Sequence, residues 1–202
     1  NYKDQLVLTG KINDVGAYVR SNVDKSYRNG IELDASFIVT PRLTWAVTSA
    51  FSKNKVKNFV EFLDKYDVNF DPIGQSTNNY SKTDLAFSPN YVGSSTIAYQ
   101  LAKQFEVALI TKYVSEQFLD NTSNNSRKLD AFFVNNLRLN YDVKLKGIKS
   151  LGFGLLANNI FNELYESNGY TFSYVYDGAL TTENFYYPQA ETNFLFSVNV
   201  KF

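Results

Sequence analysis

The stretch "TNFLFSVNVKF", residues 192–202, decides how the rest of the chain is read. Taken in pairs, it sets Phe194, Phe196, Val198, Val200 and Phe202 on one side and Leu195, Ser197, Asn199 and Lys201 on the other. A period of two is that of a strand, whose successive side chains leave opposite faces. One face is hydrocarbon and the other mostly polar. A soluble sandwich can produce such a strand once, so the reading depends on whether the pattern repeats.

It repeats along the whole chain. In residues 30–39, Ile31, Leu33, Ala35, Phe37 and Val39 alternate with Gly30, Glu32, Asp34 and Ser36. After a turn at Thr40, Pro41 and Arg42, residues 43–52 set Leu43, Trp45, Val47 and Phe51 against Thr44, Ala46, Thr48 and Ser52. Residues 91–101 place Tyr91, Ile97, Tyr99 and Leu101 opposite Ser94, Thr96 and Gln100, with Gly93 and Ser95 interrupting the apolar side. Phe105, Val107, Leu109 and Tyr113 oppose Glu106 and Lys112, although Ile110 breaks the polar side. Leu137, Leu139, Tyr141 and Val143 alternate with Asn136, Arg138, Asn140 and Asp142, and Leu151, Phe153, Leu155 and Ala157 with Gly152, Gly154 and Asn158. With "YKDQLVLTG" at the start, about eight strands are predicted.

The connections alternate in length. "VTPRLT", "LAKQF" and "VKLKGIKSLG" are short, whereas long polar or mixed stretches are read at roughly 11–29, 53–88, 114–130 and 162–191. Amphipathic strands joined alternately by short and long connections have the topology of an outer-membrane barrel with tight periplasmic turns and extended extracellular loops. In lipid every backbone group must be paired, so such strands survive in a closed wall, where Phe202 would lie in the interfacial aromatic belt.

Composition agrees. The chain of 202 residues carries 20 basic and 20 acidic residues, which leaves no electrostatic footprint for nucleic acid. It has no cysteine, histidine or methionine. A disulfide framework and thiolate metal sites are thereby excluded, and the commonest general base is missing. Phe, Tyr and Trp make up 16% of the chain while the mean hydropathy is negative, as a wall with one apolar and one wet face requires. No secretion signal is visible at "NYKDQLVLTG", so a mature or truncated chain is expected.

The strand "FLFSVNVKF" resembles the carboxyl-terminal signal by which outer-membrane barrels meet their assembly machinery, carried here by Phe194, Phe196, Val198, Val200 and Phe202. "NNIFNELYESNGYTFSYVYDG" followed by "ENFYYPQAETNFLFSVNVKF" resembles the last two strands and last extracellular loop of TonB-dependent receptors. "YKDQLVLTGKINDVGAYVRSNVDKSYRNGIELDASF" is similar to a segment of the same family that rises, turns and returns through Asn-Gly-Ile-Glu. The resemblance covers essentially the whole chain and fits siderophore-type receptors better than glycan importers. It implies an all-β transmembrane antiparallel barrel of about 22 strands with an amino-terminal plug. Residues 1–202 would supply its carboxyl-terminal portion of about eight strands, and neither plug nor TonB box is recognised in them. The implied activity is import of a ferric siderophore or similar metal chelate across a Gram-negative outer membrane. The implied partners are membrane lipid, the barrel assembly machinery, the ligand, and TonB through a plug outside this chain; no catalysis and no cofactor are expected. The alternatives are a glycan importer of the same fold, or a self-contained eight-stranded barrel with a structural or adhesive role.

Candidate ligand contacts lie in the last long connection, where Tyr170, Phe172, Tyr174, Tyr176, Phe185, Tyr186 and Tyr187 could stack on a bulky ligand at small rotamer cost. The blander reading is an interface belt above a collapsed loop. Glu61, Asp64, Asp67 and Asp71 offer oxygens for a hard cation, but their spacing matches no calcium motif and a solvated loop is preferred. "DNTSNNS" at 120–126 is equally unspecific, with Asn121 and Asn124 in N-x-S sequons. Glu32, Asp34, Glu106, Lys112, Arg138 and Asp142 face the polar side and are expected to hydrate a lumen or meet whatever fills it.

Overall fold

The computed structural model describes residues 1–12 and 18–202; among them there are strands and no helix. In chain order they are β1 (Tyr2–Ile12), β2 (Tyr18–Thr40), β3 (Leu43–Tyr66), β4 (Pro72–Asp84), β5 (Tyr91–Ala102), β6 (Phe105–Val114), β7 (Gln117–Phe118), β8 (Lys128–Leu129), β9 (Phe132–Val143), β10 (Ser150–Asn158), β11 (Glu166–Tyr176), β12 (Ala179–Pro188) and β13 (Asn193–Lys201). The main path of the sheet runs β1-β2-β3-β5-β6-β9-β10-β13, antiparallel at every step. β4 pairs with the outer half of β3, and β11 with β12, while β7 and β8 form a separate small pair. β1 and β13 each have one neighbour among the described strands, so the sheet is an open wall.

Alternation in sequence becomes rows across the wall. Phe37 pairs with Trp45, Trp45 with Ile97, Ile97 with Leu109, Leu109 with Leu137, Leu137 with Ala157 and Ala157 with Phe194. Seven apolar residues from seven strands therefore lie in one line. A second row, Leu43-Tyr99-Val107-Leu139-Leu155-Phe196, runs beside it. This face is not covered by any layer of the described residues: Phe37, Ile97 and Phe194 are 48%, 43% and 70% exposed. An apolar face of this extent left bare is the mark of a surface that meets another apolar phase. The opposite face carries Gln100, Glu106, Asn140, Gly154 and Ser197 in one row and Asp34, Thr48, Ser94, Lys112 and Val134 in another. Ser95, which interrupts the apolar face, accepts a hydrogen bond from Trp45 Nε1 at 2.9 Å, which satisfies the indole on that side.

The three short connections, as expected, lie at one end. There Gln100 N donates to Arg42 O, Asp142 N to Gln104 O and Lys149 N to Lys201 O, each at 2.8 Å. The long connections differ from the expectation. Residues 18–29 continue β2, residues 53–66 continue β3, and residues 72–84, 166–176 and 179–188 are further strands. Beyond the wall the chain continues as antiparallel ribbons, in which strand pairing persists without the wall's regular apolar and polar faces. What core there is sits at this end: Val7, Val23, Val56, Phe59 and Leu85 in one cluster, and Val114, Phe132 and Val134 in another.

Candidate functional site

Two ribbons and one loop meet at the long-connection end. β11 runs parallel to the tip of β3, with Tyr174 opposite Asp64, Val175 opposite Lys65 and Tyr176 opposite Tyr66. Asp177 N donates to Tyr66 O at 3.1 Å, and Tyr176 OH to Val68 O at 3.1 Å. The β11–β12 ribbon reverses at Asp177-Gly178, both at positive φ (44° and 78°). That is the geometry of a two-residue hairpin turn, and Asp-Gly is its usual sequence.

The rings expected to contact ligand fall mostly on one face of this ribbon. Tyr170 and Phe185 are cross-strand partners with stacked rings 4.8 Å apart; Phe172 lies 5.8 Å from Phe185 and 6.2 Å from Tyr174, and Tyr187 6.1 Å from Tyr170. The strip continues onto the β3–β4 tip, where Tyr66 meets Tyr174 edge-on at 5.9 Å and Phe70 stacks on Tyr176 at 4.4 Å. Phe70 itself sits at φ 63° in the turn, where Asp67 Oδ1 accepts hydrogen bonds from Asn69 N and Asp71 N. Tyr66 and Phe70 belong to the strip although sequence reasoning did not select them; the aromatic spacing within "KYDVNFDP" was the available signal. Tyr186 stands apart, its ring over Gly169 and its hydroxyl donating to Lys128 O at 3.4 Å. Tyr174 OH donates to Glu183 Oε1 at 2.8 Å, and that bond, first among the causes, raises its pKa. The tyrosines thus bring hydroxyls as well as rings to one surface.

Beneath the strip an ionic cluster ties β3 and β4 to the loop after β6. Arg127 Nη1 donates to Glu61 Oε1, and also to Asp120 Oδ2 at 2.9 Å. Glu61 Oε2 accepts from Tyr80 OH at 2.9 Å and Asn78 Nδ2 at 3.0 Å; Asp120 Oδ1 accepts from Thr122 N at 2.9 Å and Thr122 Oγ1 at 2.6 Å. Both carboxylates are saturated, as buried charge requires. Tyr80 lies on β4, clear of the wall, and burial together with its bond to Glu61 pushes its pKa up to about 12. Burial pushes the Arg127 pKa down, but hydrogen bonds to Glu61 and Asp120 outweigh it and leave the guanidinium above its ordinary value. Asn121 completes the joint, donating to Leu8 O at 3.0 Å and accepting from Ala86 N at 2.9 Å.

Three of the four carboxylates considered for a hard cation have partners within the chain: Glu61 serves Arg127, Asp64 accepts from Gln75 Nε2 at 2.6 Å, and Asp67 builds the turn before Asp71. On the polar face of the wall, Arg138 Nη2 lies 3.6 Å from Glu106 Oε1, which also accepts from Asn140 Nδ2 at 3.3 Å. Higher on this face a recess is lined by Lys112, Asn136, Asn158, Asn159, Gln189 and Asn193, with Phe132 stacked on Tyr165 at 4.4 Å as its apolar side. Lys112 forms no ion pair among the described residues, so the recess combines one free ammonium with amides and a ring surface.

A family model, TonB dependent receptor-like, beta-barrel, matches residues 1–162. No curated protein sequence matches the chain. Among solved structures, the siderophore receptor PiuA from Acinetobacter baumannii aligns with a TM-score of 0.67 at 14% identity, over 98% of this chain and 24% of that one. The ferric-catecholate import receptor Fiu from K12 E. coli, in its closed form, aligns with a TM-score of 0.61 at 17% identity, over 99% of this chain and 24% of that one. The ferric enterobactin receptor PfeA of Pseudomonas aeruginosa, as its G324V mutant, gives 0.51 at 13% identity, over 98% and 27%. At these identities the likeness is one of fold. The chain spans about a quarter of the length of each of these structures.

Proposed function

The chain belongs to the TonB-dependent receptor β-barrel family, and on that premise we propose that it is part of the wall of a Gram-negative outer-membrane transporter that imports a ferric siderophore or similar metal chelate. The open edges of β1 and β13 suit a segment of a larger barrel, of the plugged class of about 22 strands, better than an eight-stranded closure. In this reading residues 1–202 are a carboxyl-terminal segment of a single barrel domain. Its bare apolar face meets lipid, and its polar face meets a plug through which TonB acts. The alternating Phe194, Phe196, Val198, Val200 and Phe202 present the assembly machinery with its signal. A role in transport rather than catalysis follows the family.

The observation that carries the ligand reading is the aromatic strip from Tyr187 to Phe70, carried in part by the β11–β12 ribbon, whose base, at Ser167 and Gln189, lines the Lys112 recess. Rings and tyrosine hydroxyls suit the planar groups of a chelate, and a lysine among amides suits its residual negative charge. Two of the structures that the chain resembles in fold are a siderophore receptor and a ferric-catecholate import receptor, which agrees with that chemistry. The test is uptake of radioactive iron by cells that carry or lack the full-length gene, supplied with catecholate, hydroxamate or citrate chelates under iron limitation. Uptake of one class that depends on the gene and on TonB supports the reading; equal uptake of every class by both strains refutes it.

One observation favours the glycan importer as a second reading. Residues 162–191 carry Glu163, Glu166, Asp177, Glu183 and Glu191 and no Lys or Arg. Rings beside carboxylates stack on and hydrogen-bond to sugars. Growth on oligosaccharides that depends on the gene, with iron uptake unchanged, would establish it.

A further inference from the structure

We infer that the short-turn end of the wall is a binding surface for the headgroups of anionic phospholipids. The inference rests on the membrane-barrel reading and goes beyond it by assigning a lipid charge class to one rim. Arg42, Lys103, Lys144, Lys146, Lys149 and Lys201 all lie at this end and all are exposed. None of them forms an ion pair among the described residues. In the segments that make the rim, 40–43, 101–105, 142–150 and 200–201, the one acidic residue is Asp142, on the polar face of the wall. The bonds from Gln100 to Arg42, Asp142 to Gln104 and Lys149 to Lys201 join the turns into one rim, so the six charges act as a belt.

Charge alone would suit any polyanion; the apolar groups beside it select lipid. The turn "KLKGIK", residues 144–149, interleaves its lysines with Leu145 and Ile148, and Leu145 is 48% exposed. The apolar row Leu43-Tyr99-Val107-Leu139-Leu155-Phe196 begins within one residue of Arg42 and runs along the bare face. Tyr99 and Tyr141 are 41% and 46% exposed, and Tyr141 meets Phe105 edge-on at 6.2 Å, next to the turns. Aromatic rings at the boundary of an apolar band mark the headgroup level. Lysine stems extended along that band put ammonium groups among phosphates. An acidic protein would be met by the charges but not by a leucine that continues into an apolar wall.

The experiment uses the full-length protein reconstituted from equal phosphatidylethanolamine and phosphatidylglycerol, with the lipids retained on it counted by native mass spectrometry. Heat-modifiable gel mobility reports whether the barrel is folded. The expected result is a several-fold enrichment of phosphatidylglycerol that K144Q/K146Q/K149Q reduces to the bulk ratio, while K53Q/K57Q/K65Q at the other end leaves it unchanged. Each basic residue near an anionic surface is worth about fivefold in partition, so three neutralisations suffice to be seen. A folded barrel with no anionic preference, or equal loss in both triple variants, overturns the inference and leaves the barrel reading standing. Loss of a co-purifying acidic protein at constant lipid ratio also overturns it. A wild-type protein with no heat-modifiable form overturns the barrel reading and this inference together.

Discussion

Arg127 and Glu61, 66 positions apart in the chain, form an ion pair in which both side chains are only 3% exposed. The pair joins the loop after β6 to the outer half of β3, and Asp120 shares the same guanidinium nitrogen. Replacing Arg127 with Met leaves two buried carboxylates without their cation, a change that costs about 3–5 kcal/mol. The loss is confined to the outer assembly. Hydrogen exchange of residues 59–63 and 117–129 is therefore expected to accelerate in the variant, with the wall strands β5, β6 and β9 unchanged. Combining R127M with E61Q and D120N should restore part of the protection, because the stranded charges are then gone.

Tyr80 couples this cluster to pH. Its folded pKa is raised to about 12 from the ordinary 10.0, so the folded state holds the phenolic proton more tightly than the unfolded chain does. The associated stability is fully present below pH 10 and is lost as pH rises through about 12. The difference between wild-type and Tyr80→Phe tyrosinate absorbance should show one group ionising near the top of that window. A group ionising near pH 10 in the difference curve would contradict the bond to Glu61.

The wall was legible because each of its strands has a different environment on either side, and a period of two records that directly. Phe194 to Phe202 and Ile31 to Val39 are examples. Where the ribbons leave the wall the record fades. β4, "PIGQSTNNYSKTD", is almost wholly polar yet fully paired with β3. In β3 the buried side switches from Asn54 and Val56 to Phe59, Glu61 and Leu63 across Asn58, whose φ of 55° breaks the alternation. The aromatic residues of β11 and β12 stood out in the sequence as a group, but their facing needed strand register: Tyr186 is one residue from Phe185 and Tyr187 and so points the other way. The ion pair of Arg127 with Glu61 had no local signal at all.

That register makes the ligand proposal testable residue by residue. Phe172→Ala and Tyr174→Ala remove rings from the strip, and each stacked pair is worth about 0.5–1.5 kcal/mol beyond its area. Together they should weaken chelate binding by about tenfold or more in the full-length protein. Tyr186→Ala, on the other face, should leave affinity within about twofold. Calorimetric titration of the three variants checks this, with folded barrel yield as the control. Equal losses from Tyr186→Ala and Tyr174→Ala would mean that the ribbon acts through its fold and not through the strip.

The wall itself is tested by two adjacent residues. Ile97 lies in the row between Trp45 and Leu109 on the bare apolar face, whereas Thr96, its neighbour, lies between Ala46 and Ile110 on the polar face. Arginine at a lipid-facing position near the bilayer midplane costs about 2–4 kcal/mol, while a lumen-facing substitution is tolerated. Ile97→Arg is therefore expected to lower the outer-membrane abundance of folded, heat-modifiable protein severalfold, and Thr96→Arg to leave it near wild type. The same swap in a soluble sandwich would give the opposite ranking or none, because the bare face would then lie in water and a charge there would cost little. The two variants thus separate a lipid-facing wall from a solvent-facing one without reference to ligand, plug or TonB.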